Sequence, residues 1–208
     1  MFATSLPRLY LLTDRYNTSQ RPISSVISQA VEAGVRMVQI REKDLDTRPL
    51  IDLVQNLMPL IKQHQGKVLL NDRIDLAVTL GADGVHLRSD SLPLPLARRM
   101  LGHKKLIGIS THSVEDVQMA EGEGADFIVL GPIFETPSKR MYGPPLGLRT
   151  LETACRASPL PIFAIGGIKP MHMASVLSAG VYGVAVISAI LQAPSIQNST
   201  HEFLSQLP

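Results

Sequence analysis

A small-residue turn running straight into a short apolar stretch occurs four times along the chain: Ala33-Gly34-Val35-Arg36-Met37-Val38-Gln39-Ile40, Gly81-Ala82-Asp83-Gly84-Val85-His86-Leu87, Gly124-Ala125-Asp126-Phe127-Ile128-Val129-Leu130 and Ala179-Gly180-Val181-Tyr182-Gly183-Val184-Ala185-Val186. A glycine just past a helical pattern ends the helix, because it takes the left-handed conformation without a Cβ penalty. The Val/Ile/Leu run behind it has the character of a strand buried on both faces. The leading glycines, at 34, 81, 124 and 180, lie roughly two strand–helix units apart, at about 25 residues per unit. Between them fall four more runs of the same kind: Leu9-Tyr10-Leu11-Leu12, Lys67-Val68-Leu69-Leu70, Leu106-Ile107-Gly108-Ile109 and Pro161-Ile162-Phe163-Ala164-Ile165. Eight strands in alternation with helices predict an α/β fold, a single (β/α)8 TIM barrel over residues 1–208.

The connecting segments support this. Ile23 to Ala33, Arg48 to Gln63, Val114 to Glu123 and Met171 to Ala179 carry apolar residues at helical spacing, with Thr47 and Ser113 placed as N-caps. They form the expected outer ring. An open doubly wound sheet uses the same alternation but has a glycine-rich fingerprint after its first strand; here that strand leads into Thr13-Asp14-Arg15.

Composition narrows the function classes. A net charge of +2 with scattered basic residues and no long run of like charge gives no reason to invoke nucleic acid or an anionic membrane. No apolar run reaches the length of a membrane span or follows a signal-peptide pattern. The single Cys155 excludes an intramolecular disulfide, so a reducing, cytoplasmic setting is expected. Aromatics are only 4% of residues and Trp is absent, which leaves no stacking platform for bases. Small ligands are the default partners, and homo-oligomerisation through helix faces stays open.

In such barrels the site lies at the C-terminal strand ends, and here those ends are strongly polar. Gln39, Arg41 and Lys43 alternate, so on an extended backbone they point one way; two cations and an amide suit a phosphate or diphosphate. The competing reading is a solvated strand end paired to Glu42 or Asp44. Asn71-Asp72 follows the third strand, and Asp72 is the best single ligand for a hard cation such as Mg²⁺, though an Asn-Asp pair also serves as a helix cap or a partner for Arg73. Gly166-Gly167 and Ile187-Ser188 after strands seven and eight match a backbone phosphate cradle, with Ser188-Ala189-Ile190-Leu191 starting a short helix. The long loop after strand six offers Thr136, Ser138 and Lys139 to close over bound phosphate. His112 is expected to cap the next helix in preference to shuttling protons.

Taken in order, Val38-Gln39-Ile40-Arg41-Glu42-Lys43, Leu70-Asn71-Asp72-Arg73, Gly131-Pro132-Ile133-Phe134, Thr136-Pro137-Ser138-Lys139, Ala164-Ile165-Gly166-Gly167-Ile168 and Ile187-Ser188-Ala189-Ile190 resemble the thiamine-phosphate synthase and TenI superfamily over essentially the whole chain. The resemblance implies that Gln39, Arg41, Lys43, Asn71, Ser110 and Lys139 hold a hydroxymethylpyrimidine diphosphate, and that Thr136, Ser138, Gly167, Ile187 and Ser188 hold a thiazole phosphate. It implies Mg²⁺ on Asp72. The diphosphate leaves to give a stabilised pyrimidine cation that the thiazole nitrogen captures, with Arg41, Lys43 and Lys139 neutralising the leaving group. One departure stands out: Ser91, in Ser89-Asp90-Ser91-Leu92-Pro93, replaces the second metal-binding Asp of the synthase pattern, and a hydroxyl is a much weaker ligand for a hard dication. Ser91 favours the TenI branch, which includes thiazole tautomerases, but the catalytic His of that pattern falls at Pro132. Gly131-Pro132 and the intact Gln39, Arg41, Lys43 and Asn71 favour the synthase. A non-catalytic thiazole phosphate or thiamine phosphate-binding regulator would keep the cradle and lose the metal site. A sugar-phosphate isomerase on the same barrel would need a base, for which only Glu42 or Lys43 could be cast.

Overall fold

The computed structural model describes residues 6–136 and 144–208. Eight parallel strands, β1 (Leu9–Leu12), β2 (Met37–Ile40), β3 (Lys67–Asn71), β4 (Gly84–Leu87), β5 (Leu106–Thr111), β6 (Phe127–Leu130), β7 (Ile162–Ile165) and β8 (Gly183–Val186), pair in chain order and close when β8 pairs with β1. Closure excludes the open doubly wound sheet. Helices α1 (Ile23–Glu32), α2 (Thr47–Gln63), α3 (Ile74–Thr79), α4 (Leu94–Leu101), α5 (Val114–Gly122), α6 (Gly147–Ala157), α7 (Met173–Ser178), α8 (Ser188–Leu191) and α9 (Ile196–Leu204) accompany them. Gly34, Gly81, Gly124 and Gly180 each have positive φ one residue past a helix cap, the conformation the turn pattern requires.

Period-two alternation divides each strand between two cores. Outward residues such as Val38, Leu70, Val85, Ile107, Ile128 and Val184 pack under the helices, while Tyr10, Met37, Leu69, Phe127, Phe163 and Ala185 fill the barrel. Tyr10, Phe127 and Phe163 meet edge-on with centroids 5.6–5.8 Å apart. Room for these rings comes from a neighbouring strand: a Cβ on Gly108 would lie 2.1 Å from the Phe127 ring.

The repeated Gly-Ala-Asp of the sequence has a structural cause at the N-terminal barrel face. The Asp83 carboxylate accepts the Val68 N–H at the start of β3 (2.6 Å), and Asp126 accepts the Ile107 N–H at the start of β5 (2.7 Å). Each is braced by a cation, Lys62 on Asp83 and Arg98 on Asp126. These acids pin strand starts.

Two local expectations are corrected. Ser113 caps α5 by accepting the Asp116 N–H, but Thr47 is the first residue of α2 and Asp46 is the cap. The Thr47 hydroxyl accepts instead from Arg73 (3.2 Å). β3 and β5 also run further than expected, so Asn71 and Ser110 lie on strands, in register with His86 and Val129.

Candidate active site

At the C-terminal mouth, strand parity carries the polar residues inward. Gln39 is fully buried on β2 beside the Tyr10 hydroxyl, which it influences, but neither its amide atoms nor that hydroxyl reaches a described residue at hydrogen-bond geometry. One step of parity further, Arg41 is partly buried. Its backbone N–H donates to the Thr13 hydroxyl (2.9 Å), and the Thr13 N–H donates to the Gln39 carbonyl (2.9 Å), so the end of β1 fixes where Arg41 leaves the sheet. The Arg41 guanidinium makes no hydrogen bond to a described residue. Burial lowers its pKa, and the nearby Asp14, Glu42 and Asp72 charges oppose that shift. Lys43 departs from the expected convergence: β2 ends at Ile40, and Lys43 is exposed in the turn that follows. Glu42 and Asp44, the partners of the solvated-end reading, pair with Arg15. That leaves Arg41 to face the mouth.

At the same rim stands a polar cluster from the ends of β3 and β4. Asp72 has the left-handed φ of 59° that Asp tolerates better than most residues. Its Oδ1 accepts the Ser91 hydroxyl and the Arg88 N–H (3.3 Å); its Oδ2 accepts Arg88 Nε (2.8 Å) and Asn71 Nδ2 (2.9 Å). Burial would raise the Asp72 carboxyl pKa, but the Ser91 hydroxyl and Arg88 guanidinium overcome it and hold the group below its ordinary value. Among the described residues no group of three or more His, Cys, Asp or Glu is placed to hold a metal ion.

His86 was not singled out from the sequence, yet it lies beneath this cluster with 2% exposure. Its Nε2 meets the Ser110 hydroxyl at 2.9 Å, its Nδ1 has no partner among the described residues, and its ring lies 6.0 Å from those of Tyr10 and Phe127. Burial pushes its pKa down to about 3, so the imidazole is neutral at ordinary pH. Parity offered the missing signal: residues 84, 86 and 88 alternate as 37, 39 and 41 do. His112 takes a structural place, since its Nδ1 donates to the Gly131 carbonyl and its N–H to the Asp116 carboxylate at the start of α5.

On the far side of the mouth, Gly166 and Gly167 follow β7 with positive φ, and the loop after β6 passes close above them. A Cβ on Gly167 would sit 2.6 Å from the Glu135 carbonyl oxygen. Ile187 caps α8, which begins at Ser188 as expected, and Arg21 donates to the Leu191 carbonyl at its other end (2.8 Å). The N–H groups of Gly167, Ser188 and Ala189 donate to no described residue. Thr136 is described; Ser138 and Lys139 lie outside the described residues. One rim therefore carries a guanidinium after β2 and backbone amides after β7 and β8 that donate to no described residue.

The family model for thiamine monophosphate synthase, TMP-TENI, matches residues 9–190. The chain belongs to that family. It is 40% identical over 192 residues to a thiamine-phosphate synthase of Roseiflexus sp. (strain RS-1), covering 92% of this chain and 81% of the relative. To the thiamine-phosphate synthase of Clostridium novyi (strain NT) it is 39% identical, with 93% and 95% covered. Among solved structures, thiamine phosphate pyrophosphorylase from Pyrococcus furiosus superposes with a TM-score of 0.87 at 31% identity, over 96% of this chain and 94% of that one.

Proposed function

We propose that the protein is a transferase of thiamine biosynthesis that couples hydroxymethylpyrimidine diphosphate to thiazole phosphate with release of pyrophosphate. The observation that carries this is Arg41, a partly buried guanidinium without a hydrogen-bonded partner among the described residues, beside the buried Gln39 amide with both polar atoms unpaired. A group that can use both is anionic at one end and a heteroaromatic donor–acceptor at the other.

The bond from the pyrimidine methylene to the diphosphate oxygen breaks with both electrons leaving on oxygen. The thiazole nitrogen lone pair then forms the new C–N bond. Gln39 orients the pyrimidine ring; Ser110, its hydroxyl fixed by neutral His86, and Asn71 complete that end of the pocket. Arg41, Lys43 and Lys139 carry the charge developing on the leaving group, a role in which fixed cations act at their strongest. Gly167, Ile187, Ser188, Thr136 and Ser138 hold the thiazole phosphate. Mg²⁺ is the metal expected with a diphosphate substrate, but an Asp72 already bonded to Arg88, Ser91 and Asn71 does not fit a resident ion, and no step is assigned to one.

A tautomerase would need a proton carrier just after β6, where Pro132 stands and His112 is tied to a backbone carbonyl. No described helix is long and apolar enough to cross a membrane, and burial pushes the pKa of the free Cys155 thiol up to about 11, which keeps it protonated and unreactive. Arg41→Gln is expected to lower kcat/KM for thiamine phosphate formation by about 10² or more. Unchanged kinetics in that variant would remove Arg41 from the site, and a wild type that forms no product would overturn the reaction.

A further inference from the structure

Asp72 is the position from which a dication would be held, and its carboxylate offers about four lone-pair directions. Three are taken by side chains of the chain itself, the Ser91 hydroxyl on Oδ1 and Arg88 Nε and Asn71 Nδ2 on Oδ2, and the Arg88 N–H, whose nearer acceptor is the Ser91 hydroxyl oxygen at 2.9 Å, leans on Oδ1 at 3.3 Å. Ser91 stands where the synthase pattern has a second carboxylate, and it contributes a donor to Asp72 where an acid would have been a ligand. At the same place the chain adds a positive charge. Arg88 reaches Asp90 through Nη1 at 3.2 Å, its side chain is 44% exposed, and of its five N–H groups those not spent on Asp72 and Asp90 remain to bind an incoming acceptor. Its charge acts against that of Arg41, which follows the end of β2 at the same rim, a repulsion that an anion bound to both would relieve. One carboxylate fewer and one cation more make this corner hostile to a dication and receptive to a diphosphate.

We infer that Arg88 is a leaving-group residue of this protein: its guanidinium, seated on Asp72 at the same rim as Arg41, binds the diphosphate in the place of a resident divalent ion. Asp72 then acts as a positioning residue, fixing the Arg88 fork for bidentate contact with phosphate oxygens. The inference rests on the synthase reading for the identity of the anion.

The test titrates inorganic pyrophosphate into the full chain by calorimetry, once in excess EDTA and once with Mg²⁺. The wild type is expected to bind in EDTA with a Kd within about tenfold of the Mg²⁺ value. Arg88→Gln should weaken the EDTA value by about tenfold or more, the loss expected for a charge-assisted contact, and Arg88→Lys by less. Mn²⁺ binding followed by electron paramagnetic resonance supplies a second readout: it is expected in the Arg88→Gly/Ser91→Asp variant and not in the wild type. Pyrophosphate binding by the wild type only with Mg²⁺, wild-type behaviour of Arg88→Gln in EDTA, or tight Mn²⁺ binding by the wild type would each overturn the inference. A wild type that forms thiamine phosphate but binds pyrophosphate only with Mg²⁺ would sink this inference and leave the synthase reading standing. Metal-free pyrophosphate binding without thiamine phosphate formation would do the reverse.

Discussion

At the scale of single residues, the site is a set of polar groups whose partners are missing or borrowed. Gln39 is buried with both amide atoms unpaired among the described residues, Asp72 is bonded to Ser91, Arg88 and Asn71, and His86 is neutral because burial outweighs the nearby Asp72 charge. That neutrality has a thermodynamic consequence. The folded pKa of His86 is about 3 against 6.5 when free, so between those values the unfolded chain binds the extra proton. Its contribution is complete above about pH 6.5 and is lost as pH falls toward about 3, by at most about 1.4 kcal/mol per pH unit. Denaturant unfolding at pH 7 and pH 5 should show the wild type losing more stability on acidification than His86→Asn. Equal losses in the two proteins would mean that His86 is not buried in the neutral form. From sequence, His86 looked like one more strand residue. What distinguishes it is its contact with Ser110, which sits 24 positions away on the next strand and becomes visible only once β4 and β5 are in register.

At the scale of elements, the legible and illegible features separate by range. Strand positions and the helix ends at Gly34, Gly81, Gly124 and Gly180 were readable because each depends on a few adjacent residues. The alternation expected to carry Lys43 beside Gln39 and Arg41 extended strand parity past Ile40, where β2 ends and the chain turns. The Thr47 cap failed because the hydroxyl was claimed by Arg73 from a later segment. The Arg88–Asp72 pair was likewise hidden, since it joins two strand ends that the sequence shows only as separately polar. Asp83 and Asp126 lie between these cases: their repetition was evident, but their role in pinning β3 and β5 needed the neighbouring strands. Asp126→Ala should destabilise the protein by about 1.5–3 kcal/mol, because the Ile107 N–H and the Arg98 guanidinium lose a charged partner together. Chemical denaturation should read this as a lower midpoint with unchanged slope. A midpoint within error of the wild type would show that the carboxylate does not pin β5.

At the scale of the whole molecule, closing the sheet brings β7 and β8 round beside β1 and β2, setting the Gly166-Gly167 and Ile187-Ser188 turns on the same rim as Arg41, which lies far from them in sequence. Two phosphorylated substrates can then share one mouth with their reacting ends together, and alignment of two bound reactants supplies much of the rate in such reactions. The most direct test of this account incubates the wild-type chain with hydroxymethylpyrimidine diphosphate, thiazole phosphate and Mg²⁺, and quantifies thiamine phosphate and pyrophosphate in the same samples. The account predicts that both accumulate in equal amounts and only when both substrates are present. Pyrophosphate released without thiamine phosphate, or neither product despite retained thiazole phosphate binding, would contradict it.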